Sequence, residues 1–412
     1  MIKLDRKSPL VSLADQVLSS GTNFAAIFLA ARLLGAESFG EFSIAYGFYV
    51  FVIGFVRSFL GESILVSARN GLNQSRREYF SSAAALGLAG GVLAVAITAV
   101  FPAIEQSLIA VTVVAVTLPI LSVLEIARIH AFSQRNPWSS CRLDGWWIFY
   151  LVPSLVLVAI LRPEHVAWIL AVWTMSGIAA LASWAPRESE AHPGAHPQLL
   201  RLPSPRPAID GTLRVGGKFY AMDFALGFGA TQVVAILIAA VLDLETAGVV
   251  RLSLAVFGPI NIAFTGLALH FVPGLAANLD VDRSVLSRVR VGAAVLCAAW
   301  GMAIYFVSQR FLNAELAEGL GTVVPWMTVG YIALGLASVD IIRLRATADS
   351  RRLALGRAMI APFLVGLPFV GAMRYELAGY AAGFAASAVI SLIVWQRMKA
   401  QSTKVLGLNV AQ

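Results

Sequence analysis

Apolar runs of membrane-spanning length dominate this chain and constrain its fold more than any other feature. Twelve follow one another, near residues 11–34, 40–66, 80–101, 107–129, 146–161, 166–184, 215–241, 248–272, 289–307, 322–342, 358–373 and 377–395. A helix of about 20 mostly apolar residues crosses the ~30 Å hydrocarbon core of a bilayer. Backbone polar groups in lipid must be satisfied within the segment, and the runs lack the two-residue alternation of barrel strands. An all-α integral membrane protein of 12 transmembrane helices is therefore predicted. Composition agrees: 58% of the residues are apolar and 13% charged, against about 45–50% and about 25% in soluble domains. A soluble enzyme and a disordered chain are both excluded.

Loop charge predicts the orientation. The surfaces before run 1 and after each even-numbered run carry 25 of the 31 Lys and Arg residues, whereas the opposite loops carry Arg32, Arg162, Arg310 and Arg374. Cytoplasmic loops hold such an excess, so both termini are expected in the cytoplasm of a multi-pass cell-membrane protein. The net charge of +8 then reflects orientation rather than a nucleic-acid partner. Asp15, Gln16 and Asn23 interrupt the first run, which reads as a retained helix rather than a signal peptide. The longest polar stretch, 185–214, is rich in proline and reads as a cytoplasmic linker between an N-terminal lobe, 1–184, and a C-terminal lobe, 215–412.

The two lobes repeat. A shift of 208 residues places LLGAESFG (33–40) on VLDLETAG (241–248), matching Asp15 with Asp223, Glu37 with Glu245 and Gly40 with Gly248. A shift of 215 matches Glu125 with Asp340, Arg128 with Arg343 and Pro153 with Pro368. Six helices per copy give both the same orientation. Two-lobed transporters of this plan hold substrate between the lobes and expose it alternately by rocking.

Ionisable groups within spans cost about 2.5–3.5 kcal/mol on insertion scales and mark cavities or partners. Arg57 lies well inside the second run, on a face with Ser43, Gly47, Gly54, Ser58 and Glu62. Two readings stand: a guanidinium that grasps phosphate in a central cavity, or an arginine paired with an acid such as Glu62 or Asp15. Asp15, Ser19 and Asn23 follow one helix face, as do Asp223, Gly227 and Thr231; each stripe suits a water-filled cleft or a helix contact. Arg251, Asn261, Thr265 and His270 lie along the eighth run, Arg251 near the outer surface and His270 near the inner. Glu125/Arg128 and Asp340/Arg343 are i, i+3 pairs at cytoplasmic helix ends, either neutralising each other beside the headgroups or clasping the lobes as a gate. Gly87 and Gly91, and Gly379 and Gly383, read as packing faces. Pro119, Pro153, Pro259, Pro325, Pro362 and Pro368 sit within runs and are expected to kink or loosen them.

Cys141 and Cys297 form no metal or disulfide spacing. No phosphate-binding Gly-Lys-Ser loop, HExxH or nucleophile elbow is present, so the chain reads as a non-enzyme without a cofactor. The stretch 14–66, above all LLGAESFGEFS and RSFLGES, resembles the start of Wzx-like polysaccharide and O-antigen flippases. These belong to the multidrug/oligosaccharidyl-lipid/polysaccharide (MOP) exporter superfamily. The resemblance implies a flippase that moves undecaprenyl-pyrophosphate-linked glycans across the cytoplasmic membrane for polysaccharide export. It implies Arg57 on the pyrophosphate, with Asp15, Asn23, Asp223, Thr231 and Asn261 on sugar hydroxyls; Glu62 and Arg251 complete the candidate set. The implied partners are the lipid-linked glycan, membrane lipids and a polysaccharide polymerase or glycosyltransferases, with coupling to a H+ or Na+ gradient open. The rival readings are a MATE-type drug or cation antiporter, whose ion would bind near Asp15 or Asp223, a major-facilitator transporter, and a membrane-embedded glycosyltransferase or polymerase.

Overall fold

The structure, a computed structural model, describes residues 8–65, 75–134, 136–161, 165–191, 204–214, 216–261, 263–264, 267, 283–312, 314–347 and 350–405. The helices are α1 (Ser8–Leu33), α2 (Ala36–Leu65), α3 (Arg76–Val100), α4 (Leu108–Ser133), α5 (Pro137–Leu161), α6 (Val166–Ala191), α7 (Gly217–Val241), α8 (Leu244–Val256), α9 (Arg283–Phe311) and α10 (Ala314–Thr347). The helical segment Ser350–Val405 is broken by non-helical backbone at Tyr375 and Glu376, giving α11 (350–374) and α12 (377–405). Each of the twelve apolar runs falls on one of these helices, the eighth only in part, since α8 ends at Val256. No strand occurs among the described residues.

Nine helices among the described residues are long and apolar enough to cross a membrane, and one of them, Arg352–Met398, has 47 residues. At 1.5 Å per residue that one measures about 70 Å, enough for two crossings. The chain is a multi-pass integral membrane protein. Side chains such as Val92, Val116 and Ile160 lie exposed on their helices, where acyl chains rather than water would meet them.

Local chemistry sets the helix ends. Ser75 caps α3 and Glu78 reaches back to the Ser75 N–H, a reciprocal capping box written S-R-R-E in the sequence. Asp243 caps α8, accepting from the Thr246 N–H at 2.6 Å and from its hydroxyl at 2.9 Å. Gly216, at φ 89°, makes the turn into α7, a conformation open to glycine at little cost.

Contacts divide the chain into two compact units, Met1–Phe224 with Ala239–Gly248 and Ala225–Ile238 with Val249–Gln412. The division falls inside α7, at a π-helical turn, Ala225–Gly229.

Within the first unit, α3 packs on α4 through glycine. A Cβ on Gly91 would lie 2.7 Å from the Ala115 carbonyl, and one on Gly87 2.7 Å from the Leu118 carbonyl. Gly40 on α2 and Gly248 on α8, matched by the sequence repeat, also come together. A Cβ on Gly248 would stand 3.3 Å from the Gly40 nitrogen, and one on Gly40 would overlap the Leu244 carbonyl. Phe39, Phe42, Tyr46 and Tyr49 run along α2 as an aromatic column that ends against Trp173 of α6. The short helix Arg206–Arg214 is fastened to α3 by the Ser82 hydroxyl, which donates to the Pro205 carbonyl at 2.8 Å.

Within the second unit, α11 and α12 pack backbone to backbone at Gly371 and Gly379, and at Gly383 beside Leu367 and Pro368. Trp395 of α12 closes an apolar cluster with Ala337, Leu344, Ile360 and Leu364. Phe257 stacks on Tyr331 at 4.4 Å. Pro119, Pro153, Pro325, Pro362 and Pro368 all lie inside helices.

Candidate functional site

Five charged side chains from four helices of the first unit form a cluster centred on Arg128 of α4. Its Nη2 donates to Asp15 Oδ2 of α1 at 3.0 Å, and its Nη1 donates to Glu125 Oε2 at 2.9 Å. Nη2 also lies 3.1 Å from Asp144 Oδ2 of α5. Arg57 of α2 adds the fifth charge, with its Nη1 3.5 Å from Glu125 Oε1. Glu125 is thus shared, one oxygen to each arginine.

The two arginines differ in setting. Among the described residues, the Arg128 side chain, 7% exposed, is held by three carboxylates, whereas that of Arg57, 46% exposed, has one longer ion pair. Arg128 is a buried hub whose charge is neutralised in place, as a charge in low dielectric must be. Arg57 keeps an open guanidinium edge, which suits bidentate capture of phosphate or carboxylate.

The group is rich in acid. Asp15, Glu125 and Asp144 face Arg57 and Arg128, leaving one formal negative charge in excess. Asp15 Oδ1, Asp144 Oδ1 and Ser140 Oγ are buried without a hydrogen-bond partner among the described residues. Ser140 sits one turn before Asp144 on α5, so the two side chains share a face. No group of three His, Cys, Asp or Glu suited to a metal ion occurs among the described residues.

Glycine explains how helices close around Arg57. It opens a π-helical turn in α2, Arg57–Gly61, a deformation that often accompanies functional sites. Gly54 on one side leaves room for the Phe224 ring, and Gly61 on the other for Ile129 of α4; a Cβ at either would come within 2.3 Å of the neighbour.

The structure differs from the sequence reading in three respects. The acid paired with Arg57 is Glu125, not Glu62 or Asp15; Glu62 is exposed. Glu125 and Arg128 do form the i, i+3 pair, but as part of a larger buried cluster of the first unit rather than as a pair neutralising only each other. Asp144 was missed because apolarity places the start of the fifth run at 146, whereas α5 begins at Pro137. The spacing Ser140, Asp144, Trp147, Leu151 was the available signal, and all four are buried.

The other candidates have neighbours of their own. Asn23 is half-buried on α1, with its Oδ1 unpartnered among the described residues. Asp223 is half-buried on the first part of α7. In the second unit, Thr231 donates to the Phe228 carbonyl at 2.7 Å, buried Arg251 donates to Gln232 Oε1, and Asn261 donates to the Tyr331 hydroxyl at 3.4 Å. Asp340 is buried and accepts from Arg290 of α9. Thr265, His270 and the Arg343 side chain lie outside the described residues.

No family model matches this sequence, and no curated protein matches it. Solved structures do. An inward-facing multidrug resistance MATE family transporter of the MOP superfamily is 13% identical with a TM-score of 0.72, over 98% of this chain and all of that one. The lipid II flippase MurJ, in an inward closed conformation, is 11% identical with a TM-score of 0.64, over 98% and 93% of the two chains. A MOP superfamily transporter from Pyrococcus furiosus, for which reverse polarity of the binding pocket suggests a different function, is 12% identical with a TM-score of 0.63, over 97% and 95%. The fold is that of MOP transporters, with twelve transmembrane helices in two lobes of six.

Proposed function

We propose that the protein is a membrane transporter that flips a lipid-pyrophosphate-linked oligosaccharide across the cytoplasmic membrane by alternating access, for polysaccharide export. The observation that carries this reading is Arg57: a guanidinium inside a span, 46% exposed and, among the described residues, tethered by a single ion pair at 3.5 Å. A pyrophosphate needs such a cation, and its lipid tail can remain in the bilayer. The fold it shares with the lipid II flippase MurJ gives a precedent for a flippase on this scaffold. The Pyrococcus transporter gives one for a change of pocket polarity within the same fold.

Asp15 and Glu125 hold the hub that supports Arg57, and Asn23, Glu62, Asp223, Thr231, Arg251 and Asn261 are the further substrate contacts of the proposal. Both termini are placed in the cytoplasm on loop charge. Coupling to a H+ or Na+ gradient completes the scheme. The acidic excess around Asp15 and Asp144, without a metal-binding group among the described residues, favours the proton.

A MATE-type antiporter is the second reading, favoured by that same acidic excess and by the MATE structures among the matches. The fold favours either reading over a major-facilitator transporter. The test is leaflet accessibility of a fluorescent undecaprenyl-pyrophosphate-linked sugar in vesicles. Protein-dependent transfer that Arg57→Ala abolishes is expected. Transfer equal to empty vesicles, with uptake of a cationic dye instead, would establish the antiporter.

A further inference from the structure

We infer that Glu125 couples anion capture at Arg57 to protonation of the buried carboxylates, so that anion and proton bind together rather than in exchange. The inference rests on the reading of Arg57 as the anion site. Glu125 divides its carboxylate, with Oε1 3.5 Å from Arg57 and Oε2 2.9 Å from Arg128. The Arg128 contact is a short hydrogen bond inside the cluster, while the Arg57 contact is the longer one on an exposed side chain. An arriving anion therefore competes with Glu125 for Arg57 and not for Arg128.

Charge arithmetic gives the direction. With Arg57 on Glu125, three carboxylates face two guanidiniums. Once Arg57 turns to the anion, Asp15, Glu125 and Asp144 face Arg128 alone, and the buried excess rises from one negative charge to two. A second uncompensated charge in low dielectric is unfavourable. One proton from water, forming an O–H bond on a carboxylate oxygen, restores the excess to one. Asp15 Oδ1 and Asp144 Oδ1 have no competing hydrogen bond among the described residues. Coupling is reciprocal, so anion binding draws in the proton and protonation frees Arg57 for the anion.

Among the described residues, Tyr49 of α2, backed by Tyr46, and Cys141 of α5 also interact with these carboxylates. The short helix Arg206–Arg214 and the start of α7, which pack on the π-helical turn of α2, carry the charged residues Asp210, Lys218 and Asp223. These groups are present in both binding states. The charge that changes partner is Arg57.

The test is calorimetric titration of the purified full-length protein with inorganic pyrophosphate, in buffers of different ionisation heat. Glu125→Gln serves as reference because the ligand's own protonation contributes equally to both proteins. Wild type should take up about one proton more per pyrophosphate than Glu125→Gln, and its affinity should weaken about tenfold more per pH unit as pH rises. An infrared difference spectrum of wild type should gain a protonated-carboxyl band when pyrophosphate is added, a readout that needs no variant to fold. Equal proton counts, proton release or no new band, with pyrophosphate binding still lost in Arg57→Ala, would overturn the coupling and leave the anion site standing. An affinity set by sodium rather than pH would do the same. Binding indifferent to Arg57→Ala would overturn the anion site itself.

Discussion

Replacing Arg128 by methionine keeps the length of the side chain and removes its charge. It leaves Asp15, Glu125 and Asp144 packed together, with side chains 2%, 9% and 0% exposed. Breaking one buried ion pair by removing a partner costs about 3–5 kcal/mol. Here one guanidinium serves three carboxylates at 2.9–3.1 Å, so the upper end of that range applies, with partial relief when a carboxyl takes a proton. A loss of about 4 kcal/mol is nearly a thousandfold in the folding equilibrium. It is read from tryptophan-fluorescence unfolding of the detergent-solubilised protein. The cycle with Asp144→Asn tests the cause. In the Arg128→Met background, Asp144→Asn removes a repulsion and should restore about 0.5–3 kcal/mol. An Arg128→Met loss below about 1 kcal/mol, or a double variant weaker than Arg128→Met alone, would refute the hub.

Arg57→Ala should leave unfolding close to wild type at low pH, where a carboxyl takes the proton that replaces the guanidinium charge, and lower the midpoint as pH rises, because Glu125 is buried while its Arg57 partner is not; glycan transfer should be lost throughout. Gly371→Ala would place a Cβ 2.1 Å from the Gly379 carbonyl; the helices must separate, and size-exclusion profiles should show less folded protein, with a cost of about 1–3 kcal/mol. Glu376 has φ 51° and ψ −135° between α11 and α12, so Glu376→Gly should raise the unfolding midpoint, relieving about 1 kcal/mol of backbone strain. A lowered midpoint would mean that the Glu376 side chain outweighs that strain.

The helices were legible because membrane spanning is written locally, as twenty apolar residues in a row. The loops that separate the runs were legible for the same reason. Glycine faces also showed in the spacing, and Gly87, Gly91, Gly379 and Gly383 all meet neighbouring backbone. Gly40 and Gly248, matched by the repeat, also touch, a contact that the match alone does not predict. The hub was not legible. Arg128 and Asp15 are 113 residues apart, and nothing in either local pattern names the other. Asp144 was hidden for a different reason: an apolar run marks the hydrocarbon part of a helix, while α5 starts nine residues earlier than its run, at Pro137. Arg57 stood out because a charge amid apolar neighbours is a local signal, but its partner Glu125 required the fold.

The central claim is that Arg57 meets water and an anion inside the membrane span. Single cysteines at Arg57→Cys, Ser58→Cys and Val92→Cys, in a background with Cys141 and Cys297 replaced by serine, test it with a membrane-impermeant maleimide in sealed and opened vesicles. Val92 is 62% exposed on α3 and serves as the lipid-facing reference. Labelling at 57 and 58 but not at 92, with pyrophosphate protecting Ser58→Cys while Arg57 is intact, is the predicted result. Positions 57 and 58 as inert as 92, and reactive only to a lipid-soluble maleimide, would contradict it.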